Sequence, residues 1–337
     1  MALSKVNPNL VQNFGRRNLI INGDMNVAQR ATSQVLTSGL LTCDRFKLGY
    51  AGLGQWAGTM AQVADAPDGF GNSLKFTTTT VETSLAAGEY AYFGQFIEAQ
   101  NLQHLKFGSS SAQSLTVSFW VKSSLTGVFG QSLYTADNTG MANATYTINT
   151  ANTWEYKTIT YTGDTSRAIN NDNGEGMRVI WALASGTNLN SDPTDNAFEV
   201  YTDAKWNGGH VQNALLSTDN ATIQFTGLQL ETGTVATDFE HRSHAEELLL
   251  CQRYYQIVEA HNRFRAHAGS QINTNTVNYF VEMRVNPTAV KSGGIVSNIG
   301  LEAINSLTKR AFRYECSSSS SGDGYYLGRI VSLDAEL

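Results

Sequence analysis

The chain has 337 residues, a formal net charge of −6 and only 15% charged side chains. That length admits two domains with real cores, and a charged fraction below the globular norm of about 25% leaves polarity to Ser, Thr, Asn, Gln and Gly. Aromatics at 10% and 4 prolines rule out a disordered chain, and with no basic patch to neutralise phosphates, nucleic acid is not an expected partner.

Cys43, Cys251 and Cys316 are far apart and form no Cys-x-x-Cys pair. Zinc, iron–sulfur and dithiol chemistry are therefore not expected, and buried free thiols are. Residues Met1–Asn7 lack the apolar run of an export leader. No stretch approaches the roughly 20 apolar residues that cross a bilayer, so membrane insertion is not expected.

In chain order, residues 1–17 come first. Asn7 suits a helix N-cap, Pro8 the first helical position and Gly15 a stop. Leu10, Val11 and Phe14 would share one stripe of a short helix, too short to stand alone. This reads as an attachment segment. From Asn18 to about residue 242, two-residue alternation dominates. Leu115, Val117, Phe119 and Val121 share one face, as do Met177, Val179, Trp181 and Leu183, and Trp154–Tyr161 alternates more weakly. The phase slips between Ile223/Phe225 and Leu228/Leu230, which places a bulge at Gly227. Many strands, polar turn-rich connections such as 66–72 and 169–174, and no helical pattern point to an antiparallel sandwich, a jelly roll.

The period then changes. Ser243-His-Ala-Glu246 forms a capping box, with Leu248, Cys251, Gln252 and Tyr255 following at helical spacing. A helix over 243–257 is expected to link the sandwich to a smaller β domain over 258–337. There Val277, Tyr279, Val281, Met283 and Val285 alternate, as do Phe312, Tyr314 and Cys316; Ser317–Gly324 is a loop tip, and Tyr326–Leu333 is the last strand. The expected fold is thus all-β: a short N-terminal helix, a jelly-roll sandwich, a linking helix and a distal β domain.

Several segments are more specific than their periodicity. Asn18-Leu-Ile-Ile-Asn-Gly-Asp-Met-Asn-Val-Ala-Gln-Arg30 is followed by Asp44-Arg-Phe46, Gln95-Phe-Ile-Glu98, the Leu115–Lys122 strand and Asn152-Thr-Trp-Glu155. Gly227–Glu240 then runs into Glu246–Tyr255, with Met283-Arg284 and Pro287-Thr288 downstream. Together, over roughly residues 18–290, these resemble a family of phage and prophage tail-fibre proteins of the cyanophage type, whose main domain looks like a carbohydrate-binding jelly roll. The resemblance implies a virion fibre, usually a homotrimer, joined to other tail or baseplate proteins by its N-terminus and presenting β domains to host surface polysaccharide. A leaderless chain with an exterior composition fits release by lysis. The same fold as a capsid decoration or head fibre is the nearest alternative, and a polysaccharide-depolymerising enzyme is the alternative from another class.

The residues have their own reading. Leu19, Ile21 and Met25 suit a core strand, with Asn22-Gly-Asp24 making a turn. Arg30 or Arg45 pairing with Glu98, Glu231 or Glu240 would tie the first strand to the last. Glycan recognition needs aromatic faces for sugar C–H surfaces and amide or carboxylate groups for hydroxyls. Trp206, beside Tyr201 and Asn207 in a polar segment, fits this best, and Trp56 in Gly52-Leu-Gly-Gln-Trp56 is second. The competing reading of each is core packing, where most sandwich tryptophans lie. Trp120 falls opposite the Leu115 stripe, on a binding surface or a subunit interface.

No catalytic residues are expected. Gly-x-Ser-x-Gly and His-Glu-x-x-His are absent, and Asp164, Asp192 and Asp195 are explained by turns as well as by acid–base work. His241 and His244 read as surface and capping residues rather than half a metal site. No cofactor is expected beyond structural calcium on loop carboxylates.

Overall fold

The computed structural model describes residues 16–40, 42–190, 196–206, 214–267 and 269–337. Leu10, Val11, Phe14 and Asn207 lie outside them, as do Asp192 and Asp195. The chain forms two compact units, Met1–Arg242 and Ser243–Leu337.

The first unit is an antiparallel sandwich. Its strands are β1 (Ser33–Val35), β2 (Gly39–Leu40), β3 (Phe46–Ala51), β4 (Ala57–Val63), β5 (Ser73–Thr80), β6 (Tyr90–Glu98) and β7 (Leu115–Ser123). These are followed by β8 (Gly127–Thr135), β9 (Gly140–Ile148), β10 (Glu155–Tyr161), β11 (Glu175–Ser185), β12 (Glu199–Val200) and β13 (Thr222–Thr232). One sheet has the order β1-β4-β5-β13-β7-β10 and the other β12-β9-β8-β11-β6-β3-β2.

Alternation decides what lies between the sheets, because successive side chains of a strand point to opposite faces. Val117, Phe119 and Phe225 of the six-stranded sheet meet Phe93, Val179 and Trp181 of the seven-stranded sheet, all essentially without solvent exposure. Phe93 stacks on Trp181 with ring centroids 5.1 Å apart and reaches Phe225 at 4.5 Å. The phase slip in β13 is a register shift between Thr226 and Gln229. Gly227 holds it at φ 61°, where a side chain would be strained.

The two ends of this unit close on each other. The Leu19 amide donates to the Leu230 carbonyl (2.9 Å) and the Leu228 amide to that of Gly23 (2.9 Å). The Asn18 side chain bridges the Leu228 carbonyl and the Leu230 amide. Ile20 and Met25 enter the core, while Ile21 is half-buried with its N–H on Gln95 Oε1. The opening segment is therefore irregular: Asn22 and Met25 take left-handed φ values, and the Asn22 amide folds back onto Val27 and Asp44. The expected ion pairs to Glu231 and Glu240 are corrected. Glu240 accepts from the Arg17 and Asn18 amides and from Arg242, and Glu231 accepts from Thr237 and Gln229. Backbone amides reach both carboxylates: the opening segment, which runs beside β13, supplies those on Glu240, and Thr237, just after β13, supplies the one on Glu231.

In the second unit, the Ser243–Glu246 capping box starts a helix over His244–Gln252. It stops five residues short of the expected 257, and Tyr255 opens a strand (Tyr255–Ala266) that pairs with Gly322–Asp334. Tyr279–Val285, expected as an alternating strand, lies between Ile272–Asn278 and Thr288–Ser292, and only Met283 of that stretch is fully buried. A small core gathers Val258, Phe312, Tyr314, Cys316, Tyr326 and Leu333. The three cysteines are buried free thiols. No described helix is long and apolar enough to cross a membrane.

Candidate functional site

The groove that could hold a ligand follows from the outer face of the seven-stranded sheet. With Met177, Val179 and Trp181 inward, Arg178 and Ile180 must point outward. Arg178 is in register with Tyr134 of β8 and Phe96 of β6. Phe93 points inward, so Tyr92 and Tyr90 share the outer side with Phe96.

Two polar residues in mid-strand add a lid to this face. Ser132 and Asn143 sit opposite each other on β8 and β9 and are almost fully buried. Buried donors need acceptors, and these two find theirs at the end of the turn over Asp203–Lys205 and the residue after it. Ser132 Oγ donates to the Trp206 carbonyl (3.0 Å) and Asn143 Nδ2 to that of Lys205 (2.6 Å). The turn is thereby pinned across the sheet, and the Trp206 ring falls 4.9 Å from Tyr90 and 5.0 Å from Tyr92, centroid to centroid. Tyr201 meets Tyr134 edge-on at 5.5 Å. Gly49 makes room beneath: a Cβ there would lie 2.3 Å from the Tyr92 ring.

Between these rings is a cavity of about 220 Å³. That is below the roughly 300–1,000 Å³ of drug-sized sites, a size for one pyranose of a longer glycan. Arg178 forms its charged wall, donating to both oxygens of Glu175 (3.0 and 3.1 Å) and lying 4.1 Å from the Phe96 ring centroid. Burial works to lower the Arg178 pKa, but the Glu175 carboxylate outweighs it and the net shift is upward. Burial raises the Tyr92 phenol, and burial together with the bond to Asp203 raises Tyr201. All three remain hydrogen-bond donors at neutral pH. The hydroxyls of Tyr90 and Tyr134 have no partner among the described residues, which leaves them to a ligand. Lys205 is neutralised by Glu199.

The sequence candidates separate. Trp206 and Tyr201 line this cavity. Trp56 does not: it is buried in the core against Tyr50, its indole N–H on Thr78 Oγ1 (3.2 Å), so core packing is its role. Trp120 is half-buried on the outer face of the other sheet and shares no surface with Trp206. Tyr90, Tyr92, Tyr134 and Arg178 were not singled out from sequence. Arg178 was legible, since it alternates with the Met177 stripe, but Tyr90-Ala-Tyr-Phe93 puts aromatics on both faces and hides the phase. Asp164 serves a turn, accepting from the amides of Ser166 and Arg167. No group of three or more His, Cys, Asp or Glu side chains among the described residues is placed to hold a metal ion.

No family model matches the chain, and no curated protein matches it. Among solved structures, it is similar to the enzymatically active domain of bacteriophage CBA120 tailspike protein 4, at 13% identity and a TM-score of 0.35 over 64% of this chain. The match spans 22% of that structure's own length. A family 61 carbohydrate-binding module, TmCBM61, solved with β-1,4-galactotriose, aligns at 13% identity and a TM-score of 0.28, over 64% of this chain and 99% of that one. The family 11 carbohydrate-binding module of a Clostridium thermocellum cellulosomal cellulase aligns at 11% identity and a TM-score of 0.30, over 62% and 99%. Likeness at this level assigns no function.

Proposed function

We propose that the chain is a glycan-binding adhesin of a phage virion, a tail-fibre component that holds host surface polysaccharide without cleaving it. The observation that carries this reading is the groove of Tyr90, Tyr92, Tyr134, Tyr201 and Trp206 around Arg178. Pyranose rings present a C–H face to aromatic surfaces and hydroxyls to their edges, and the groove offers both. Its carboxylates are occupied, Glu175 by Arg178 and Asp203 by Tyr201, so neither is arranged as half of an acid–base pair. The phage assignment is supported by the order of sequence motifs from Asn18 to Thr288. A homotrimer would multiply a weak single-site affinity, perched on several fibres per particle, without any new contact.

The test is a glycan array on the full-length protein beside Trp206→Ala, with light scattering for oligomeric state. Specific binding lost in the variant, with unchanged circular dichroism, supports the reading. Binding that survives the substitution removes this groove, and falling polysaccharide mass on incubation makes the protein an enzyme.

A further inference from the structure

A second aromatic cavity, of about 440 Å³, opens on the outer face of the six-stranded sheet. Trp120 and Tyr156 are cross-strand neighbours of β7 and β10 and form one side, with ring centroids 5.3 Å apart. Phe70, Phe239 and His241 form the other, each within 5.2 Å of the next. Gly227 lets the two sides meet: a Cβ there would stand 2.7 Å from Phe70 and 3.1 Å from Trp120.

The charges differ from those of the first groove. Asp68 and Asp238 line this cavity, are solvent-exposed, and have no hydrogen-bond or ion-pair partner for their carboxylates among the described residues. Of the nearby cations, Lys122 pairs with Asp65, and Arg17 donates to Thr237 Oγ1 (2.9 Å) and the Asp238 carbonyl (3.3 Å) at the cavity edge without bonding the Asp68 or Asp238 carboxylate. Aromatic faces with uncompensated carboxylates attract organic cations, because the ring quadrupole and the negative charge act in the same direction.

We infer that this cavity binds an organic ammonium group, resting on Trp120 and Tyr156 with its charge toward Asp68 and Asp238. Two sources share that chemistry, an amino sugar with a free amine and a quaternary ammonium head. The site is independent of the glycan groove and stands or falls separately.

Fluorine NMR of the full-length protein labelled with 5-fluorotryptophan tests it, with the Trp120 resonance assigned from Trp120→Phe. Glucosamine, at a pH where its amine is protonated, or choline should shift that resonance saturably, and choline, which has no pyranose ring, should leave Trp206 unmoved. N-acetylglucosamine, which keeps the ring and loses the charge, should not. A response to glucosamine alone assigns the amino sugar, and one to choline alone the quaternary head. Asp68→Asn with Asp238→Asn should weaken binding by about tenfold or more, while the Trp120 resonance of the unliganded variant stays in place. The inference is overturned if neither ammonium probe moves Trp120, if the neutral sugar moves it equally, or if the double variant binds as tightly.

Discussion

On the seven-stranded face, the aromatic rings surround a guanidinium whose charge is already matched by Glu175, and a pinned turn holds Trp206 over them. On the six-stranded face, the rings stand beside two exposed carboxylates with no partner among the described residues. The strands, their alternation and the core beneath are shared. The difference lies in what the connections bring across each sheet: a turn anchored by buried Ser132 and Asn143 on one side, and the Phe239–His241 segment on the other. Similar side chains thus make a charge-balanced groove and an acidic one.

The comparison breaks most completely at the common core. Phe93→Ala is expected to cost about 3–5 kcal/mol, as large aromatic truncations do, because Phe93 contacts rings from both sheets. Denaturant unfolding should show this, with both faces losing their ligands together. Loss on one face alone would mean that the faces are not tied through the core.

Sharper separation comes from the tryptophans. Trp206→Ala should reduce glycan binding by about tenfold or more, as loss of an aromatic anchor does, and leave ammonium binding intact. Trp120→Ala should do the reverse. Calorimetric titration of both variants with both ligands checks this, and a variant that weakens both would merge the two sites.

Glu240 lies between Phe239 and His241 and bonds the opening segment. Burial opposes its ionisation, but the Asn18 and Arg17 amides and Arg242 outweigh it, so its pKa sits below the ordinary carboxylate value. A depressed folded pKa gives stability that is present above the unfolded value of about 4.3 and is lost as pH falls through the folded one. Glu240→Gln should therefore destabilise by about 1–2 kcal/mol at pH 7. The gap should shrink as pH drops below about 4, read from paired thermal melts. A gap independent of pH would assign the effect to packing.

The smallest expected effect is that of Gly49→Ala. Its methyl would displace the Tyr92 ring, weakening glycan binding by about two- to fivefold, a fraction of a full aromatic contact, while the other face keeps its affinity. Unchanged glycan binding would take Tyr92 out of the platform.

Much of the fold could be read from the chain because strand alternation is a local code. The Leu115 and Met177 stripes, the bulge at Gly227 and the capping box at Ser243 each depend on residues within a few positions of one another, and each is in the structure where its pattern lies. The candidate site was legible only in part. Trp206 and Tyr201 stood out as aromatics in a polar segment, but Trp56 looked the same in sequence and went to the core. Nothing local tells a tryptophan whether the sheet it meets presents its inner or its outer face.

By itself, then, the sequence determined which residues alternate, where the period changes from two to 3.6, and that side chains of opposite parity must leave the core. Tertiary structure decided which outward residues become neighbours. Tyr90, Tyr134, Arg178 and Trp206 come from four separate segments, and they meet because β6, β11 and β8 are adjacent in the sheet and a buried serine and asparagine hold a distant turn above them. Such a meeting is set by strand order and by the need to satisfy buried polar groups, and both are properties of the whole sandwich rather than of any one stretch of chain.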